Sequence, residues 1–334
     1  MKPKKTHVTN GCMSWPLLLH FLFFSIALLA LSKGADYFVT YSSRMAKRFG
    51  ISDMVVGLTI TSIGTSLPEL AASISAAFKD HTPVIIGNVV GSNIANIGLI
   101  LGLAAMIHPF FTEKKLHFRD SMVMLGSTVL FLLFTWNGSF ELWEGLVFLI
   151  LYAAYMVQII KSDRDPNQPG GLEDKHKLPF IWKPFLWEAF VTALSCLAVG
   201  FGANYLINEA IVLSQQMGVS ESVIGLTLIA VGTSLPELLV SVSSVRQGKA
   251  EMVIGNILGS NIANLLLILG ASSMINVLQV SKSDVLIMTP IMILFTLLGV
   301  GFIFSKRDIA KVQGGFLMAL YSGFVVLAFF QGWS

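Results

Sequence analysis

The sequence predicts an all-α integral membrane protein of ten transmembrane helices, arranged as two inverted five-helix repeats. Two observations carry this. Hydrophobic residues make up 54% of the chain and charged residues only 12%, with a mean hydropathy of +0.74; this is the range of polytopic membrane proteins. The segment Gly57 to Gly102 also recurs without insertion 168 residues later, as Gly225 to Gly270. GLTITSIGTSLPELAAS becomes GLTLIAVGTSLPELLVS, with 11 of 17 positions identical, and GNVVGSNIANIGLILG becomes GNILGSNIANLLLILG, with 12 of 16. Such duplication marks two copies of one structural unit. Five spans is an odd number, so the second copy enters the membrane from the opposite side and matched motifs converge near the midplane.

Apolar runs of the length a bilayer-crossing helix needs lie near Trp15 to Tyr41, Ile51 to Phe78, Pro83 to Ile107, Phe118 to Thr135 and Trp143 to Ile160 in the first copy. Those of the second are near Phe185 to Leu213, Val219 to Val245, Met252 to Val277, Val285 to Phe304 and Val312 to Phe330. The first run follows a basic tail but is longer than a signal core. It also matches the sixth run at the same offset, Pro16 with Pro184 and Tyr37 with Tyr205, so it is the first helix of the first repeat. The expected organisation is residues 1–160 as one repeat, 161–183 as a short polar linker and 184–334 as the other.

With the N-terminus outside, 16 Lys and Arg fall in cytoplasmic loops and 5 on the external side. This bias favours a plasma or inner membrane protein with both termini external. All six tryptophans fall near predicted span ends, where amphipathic rings prefer the interface. Cys12 and Cys196 offer neither a disulfide framework nor a metal pattern. No cofactor or nucleic-acid partner is expected, and the partners are ions and membrane lipid.

Each copy places one carboxylate, Glu69 or Glu237, within an otherwise apolar run. Charge in hydrocarbon is costly and marks a functional site. Each sits in Gly-Thr-Ser-Leu-Pro-Glu. Proline lacks an N–H, so Pro68 and Pro236 free the carbonyls of Gly64 and Gly232, and these need a partner. A cation provides one, and the hydroxyls of Thr65, Ser66, Thr233 and Ser234 add neutral oxygens. An all-oxygen donor set fits Ca²⁺ better than a soft metal. The second element, Gly-Asn-x-x-Gly-Ser-Asn-x-x-Asn, brings Ser92 and Asn96, and Ser260 and Asn264, four apart on one helix face. Its Gly-x-x-x-Gly steps permit close helix approach. Asn88, Asn93, Asn256 and Asn261 read more simply as interhelical glue. Lys33 and Asp36 read as a neutralised pair in the first span.

The two elements closely resemble the alpha repeats of the calcium/cation antiporter superfamily, the sodium/calcium exchangers, and among them the compact prokaryotic type. The resemblance covers nearly the whole chain. It implies alternate exposure of clustered midplane sites for Ca²⁺ and up to three Na⁺ as the first and sixth helices slide. It also implies that Thr65, Ser66, Glu69, Ser92, Asn96, Thr233, Ser234, Glu237, Ser260 and Asn264 line the site, completed by backbone oxygens of Ser62 and Ala230. Many relatives carry an Asp at one of the positions held here by Asn96 and Asn264. Two carboxylates give a formal charge of −2, which balances one Ca²⁺ but leaves a third Na⁺ uncompensated. The expected function is a secondary antiporter exchanging Na⁺ for Ca²⁺, with H⁺ or K⁺ coupling as the alternative. A cation channel fits an enclosed, duplicated acidic site less well, and no nucleophile and base at motif spacing suggest an enzyme.

Overall fold

The computed structural model describes residues 15–109, 114–163, 178–216, 234–282, 284–304 and 309–330. The described chain is helical apart from one pair of two-residue strands. In order, the helices are α1 (Trp15–Arg48), α2 (Asp53–Thr65), α3 (Leu67–Phe78), α4 (Thr82–Ile107), α5 (Lys114–Thr135), α6 (Leu142–Asp163), α7 (Trp182–Gln216), α8 (Leu235–Arg246), α9 (Ala250–Ser273), α10 (Val285–Ile303) and α11 (Lys311–Phe330). Among the described residues, 8 helices are long and apolar enough to cross a membrane, and α2 with α3, bent by 44° at their break, bring the number to nine if the two are counted as one span. Of the expected seventh span, Val219 to Val245, only the part from Ser234 onward lies within the described residues. Helices dominate because a chain in hydrocarbon must satisfy its backbone groups internally. Two spans outrun the expected ends: α1 reaches Arg48 and α7 runs from Trp182 to Gln216.

The core is built on α4 and α9, the two copies of the Gly-Asn-x-x-Gly-Ser-Asn element. They are the most enclosed helices, with 72% and 94% of their central windows buried against 22–39% in the other unbroken spans. Small residues allow this. Gly57 and Gly255 lie back to back; a methyl group on Gly57 would sit 2.6 Å from the Met252 carbonyl oxygen and 2.9 Å from the Gly255 Cα. Gly259 likewise meets Ser62, whose Oγ would be 2.7 Å from an added Cβ. Thus α2 of the first copy is seated directly on α9 of the second.

The duplicated sequence carries duplicated backbone detail. Both α4 and α9 widen into a π-turn at the same place, Asn96–Leu101 and Asn264–Leu269, and α2 has a further one at Gly57–Thr61. Sequence periodicity gives no sign of these turns, which occur preferentially at functional sites. Both α3 and α8 end in the same left-handed turn, at Asp80 (φ 59°) and Gly248 (φ 70°). In each, a backbone N–H reaches back to an orphan helix carbonyl, His81 to Ala76 and Lys249 to Ser244, both 2.9 Å. Glycine enters this conformation without strain; Asp80 tolerates it and holds Asn276 Nδ2 at 2.7 Å.

Helix ends meet in two sets. At one, Ser43 donates to Asp53, Arg48 grips Glu188 and the Pro179 carbonyl, and Lys249 Nζ donates to the Val39 carbonyl. At the other, Asp80 meets Asn276, His20 meets Glu209, and the strands Ser139–Phe140 and Leu278–Gln279 pair antiparallel. Lys33 and Asp36 do not form the expected ion pair. The Asp36 carboxylate instead accepts a 2.6 Å hydrogen bond from Ser243 Oγ, which joins α1 to α8.

Candidate functional site

The break between α2 and α3 falls at Ser66, whose backbone (φ −84°, ψ 5°) departs from helical values just before Pro68. The bend turns Thr65 and Ser66 inward at the end of α2 and sets Glu69 in the first turn of α3. Glu237 occupies the same place in α8, after Ser234 (φ −89°, ψ 7°). A carboxylate in the first turn also faces the positive end of its helix dipole. Both acids are buried, at 1% and 2% exposure, and lie within electrostatic reach of each other.

Around them the two motifs interleave across copies. Ser66 Oγ donates to Glu237 Oε1 at 3.0 Å and lies 3.3 Å from Ser260 Oγ. Its counterpart Ser234 Oγ lies 3.4 Å from Ser92 Oγ. The hydroxyl of Thr65 donates to the Thr61 carbonyl one turn back at 3.0 Å and lies 3.4 Å from Asn256 Oδ1. Asn96 and Asn264 are buried at the start of the two π-turns. The structure thereby links Ser66 to Glu237 and Ser260, and Ser234 to Ser92, with Glu69 beside Glu237; Thr65, Asn96 and Asn264 are buried on the same motif helices. Ser62 lies one turn before Ser66, and its carbonyl accepts the Ser66 N–H at 3.1 Å. Thr233 and Ala230 lie outside the described residues.

Several of the inward atoms have no protein partner among the described residues: Glu69 Oε2, Glu237 Oε2, Asn96 Oδ1 and Nδ2, and Asn264 Oδ1. Buried polar atoms are normally hydrogen-bonded, and each exception asks for an explanation. Four of the five are oxygens and two belong to carboxylates. Among the described residues no three His, Cys, Asp or Glu side chains cluster as a soft-metal site would require. The donor set suits a hard cation that binds through carboxylate, amide and hydroxyl oxygens.

A supporting ring holds the motif helices in place. Asn88 Nδ2 donates to Ser73 Oγ at 2.9 Å and to the Glu69 carbonyl at 3.2 Å. The second copy repeats the contact, Asn256 Nδ2 to Ser241 Oγ at 3.1 Å. Ser73 and Ser241 were not singled out in the sequence; each follows its glutamate by four residues and recurs at the repeat offset, which is the signal that finds them. The freed carbonyl of Gly64 has a protein donor close by. Cys196 on α7 places its Sγ 3.4 Å away as a thiol donor, and no motif points to that cysteine.

The family model for sodium/calcium exchanger proteins matches residues 19–161 and 187–330. Sodium/calcium exchanger MaX1 of Methanosarcina acetivorans is 38% identical, over 94% of this chain and 99% of its own length. Inner membrane protein YrbG of Escherichia coli is 32% identical over 82% of this chain and 86% of its own. Among solved structures, the sodium-calcium exchanger NCX_Mj, soaked with Na⁺ and Ca²⁺, superposes with a TM-score of 0.79 at 31% identity, covering 93% of this chain and 97% of that one. The mostly helical, multi-pass chain described here belongs to the sodium/calcium exchanger family.

Proposed function

We propose that this protein is a secondary antiporter that exchanges Na⁺ for Ca²⁺ by alternating access, through the pocket between Glu69 and Glu237. The observation that carries the reading is the pair of buried carboxylate oxygens, Glu69 Oε2 and Glu237 Oε2, left without protein partners inside a shell of hydroxyl and amide oxygens. Unpaired charge in a membrane interior is sustained when a counter-ion visits it. Two carboxylates balance one Ca²⁺ or two Na⁺, so the two cargoes compete for one charge complement. Thr233, and the backbone oxygens of Ser62 and Ala230, complete the ligand set in this reading. The two copies form inverted repeats of five spans, residues 1–160 and 184–334, joined by a cytoplasmic linker with both termini external. Pairing of helix ends in two separate sets supports that alternation.

K⁺-assisted coupling is the second reading. H⁺ coupling belongs with it, since a pair of carboxylates also binds protons. Proteins named sodium/potassium/calcium exchanger 4, in human and mouse, match 42% of this chain at 30% identity.

The test is isotopic Ca²⁺ flux into reconstituted vesicles under imposed Na⁺, K⁺ and H⁺ gradients. Glu69→Gln and Glu237→Gln each remove half the formal charge while keeping the shape. Either should abolish Na⁺-driven Ca²⁺ flux, a loss of at least about 100-fold given several kcal/mol for a lost ion contact in a dry site. Native flux in either variant sinks the assignment. Flux in the unmodified protein driven by H⁺ but not by Na⁺ replaces the coupling ion while leaving the site.

A further inference from the structure

We infer that Asn93 is a positioning residue that turns Asn264 into an obligate oxygen ligand for the transported cation; this rests on the Glu69 and Glu237 pocket being the ion site. An asparagine amide presents either an oxygen or an NH₂ group to a neighbour, and the two differ by a half-turn of one bond. Toward a cation they are opposites, since the oxygen coordinates and the NH₂ repels. Something has to choose.

The choice is made three residues before Asn264, at a group that cannot be inverted. The backbone carbonyl of Asn261 only accepts, and Asn93 Nδ2 donates to it at 3.4 Å. The same nitrogen lies 3.6 Å from Met292 Sδ, another acceptor. Asn93 Oδ1 is therefore turned the other way, where it accepts Asn264 Nδ2 at 3.0 Å. With its nitrogen committed, Asn264 has only Oδ1 left, and that atom is buried without a protein partner among the described residues. The order is fixed from end to end: carbonyl of Asn261, amide of Asn93, amide of Asn264, then the pocket. Asn93 is 2% exposed and Asn264 2% exposed, so water does not compete for the relay.

The matched pair in the other copy lacks this relay. Asn261 and Asn96 stand where Asn93 and Asn264 stand, yet both polar atoms of each are unpartnered among the described residues. The duplicated motif thus presents a locked oxygen from one side and an unlocked amide from the other. The relay also ties the identity of residue 264 to that of residue 93. A carboxylate at 264 has no N–H for Asn93 Oδ1, so an aspartate there requires Asn93 to invert and abandon the Asn261 carbonyl.

The experiment is a double-mutant cycle on half-saturating Ca²⁺, read both from uptake into Na⁺-loaded vesicles and by calorimetric titration of Ca²⁺ into the purified full chain. Asn93→Leu frees the Asn264 amide and is expected to raise half-saturation about tenfold, the equivalent of one oriented ion contact. Asn264→Ala, which removes the ligand itself, is expected to do the same. The double variant should be no worse than either single, because Asn93 has no function once its client is gone. A cycle in which the two effects multiply, toward about 100-fold, makes Asn93 a general packing residue and overturns the relay, as does an unchanged value for Asn93→Leu. An unchanged value for Asn264→Ala overturns Asn264 as a ligand and the relay with it; only loss of the effect of Glu69→Gln and Glu237→Gln removes the pocket itself. If Asn93→Leu does not yield monodisperse protein, Asn93→Ser tests the same cycle, since its shorter side chain cannot span both partners.

Discussion

Helices α1 and α7 run antiparallel along each other, and their two ends are held by different means. At the Arg48 end the guanidinium makes a two-pronged contact with Glu188, Nε to Oε2 at 2.5 Å and Nη2 to Oε1 at 2.8 Å, and its Nη1 donates to the Pro179 carbonyl at 2.6 Å. Both side chains are over nine-tenths buried. Leu178 N–H bonds to the Lys47 carbonyl, and Phe49 packs on Phe180 and Phe185 at ring distances of 5.4 and 5.3 Å. Thr40, Asp36 and Lys249 brace the same end of α1 to α8 and the turn behind it. At the other end His20 meets Glu209 at 2.7 Å, with side chains 29% and 12% exposed. Among the described residues the pair is therefore anchored at one end and lightly tied at the other. Local opening starts where buried contacts are fewest, and the contacts among the described residues predict that the His20 end opens before the Arg48 end.

The sharpest way to break this comparison is Arg48→Met. It strands the Glu188 carboxylate without its guanidinium partner, and breaking a pair by removing one member is strongly destabilising. Thermal unfolding in detergent should show a large drop in melting temperature. Combining it with Glu188→Leu should recover most of that loss, because two apolar side chains replace the pair without leaving a charge. A double variant as unstable as Arg48→Met alone would show that the helices are held by the Pro179 and aromatic contacts rather than by the ion pair.

A smaller effect is expected at the opposite end. His20→Gln keeps a hydrogen-bonding side chain and removes the base, and exposed or half-exposed pairs contribute no more than about 1 kcal/mol. The melting temperature should move far less than for Arg48→Met. Hydrogen exchange should quicken near residues 19–24 and 205–212 before it does near Arg48. Equal destabilisation by the two substitutions would erase the distinction between anchored and lightly tied ends.

The two ends also explain what the sequence displayed and what it hid. Two duplicated features were legible: the bent Gly-Thr-Ser-Leu-Pro-Glu helices and the close-packed partner helices. A second copy at a fixed offset makes each such residue visible twice. The clamp was not legible, because the positions matching Arg48 and Glu188 are Gln216 and His20, and an unduplicated pair 140 residues apart leaves no local pattern. Cys196 was hidden for the same reason, its counterpart being Leu28. The pairing of Lys33 with Asp36 failed because proximity along one helix said nothing of Ser243, which reaches Asp36 from α8. The π-turns change backbone hydrogen bonding without changing apolar periodicity, so they too were invisible. The relay through Asn93 depends on an acceptor being a backbone carbonyl, which composition never encodes.

The smallest expected effect lies within the anchored end itself and separates its charged parts from its packed ones. Lys249 is half-buried in the left-handed turn after α8, with Nζ on the Val39 carbonyl at 2.9 Å. Burial lowers its pKa from 10.5 to about 8; Asp53 opposes that shift, and Lys47 and Arg44 add to it. Because the folded pKa lies below the unfolded one, the folded state carries a full penalty for the charged form below pH 8. Between about pH 8 and the unfolded value near 10.5 the unfolded chain binds more protons, so this group's contribution to stability rises with pH across that window. Lys249→Met removes the buried charge together with the bond to Val39. The variant should therefore melt higher than the unmodified protein at pH 7, by on the order of 2 °C, and the advantage should vanish or reverse by pH 10. Comparing the two proteins at each pH cancels every other titration they share. A difference that stays constant from pH 7 to 10 would mean that Lys249 holds its place by packing and hydrogen bonding rather than through its charge.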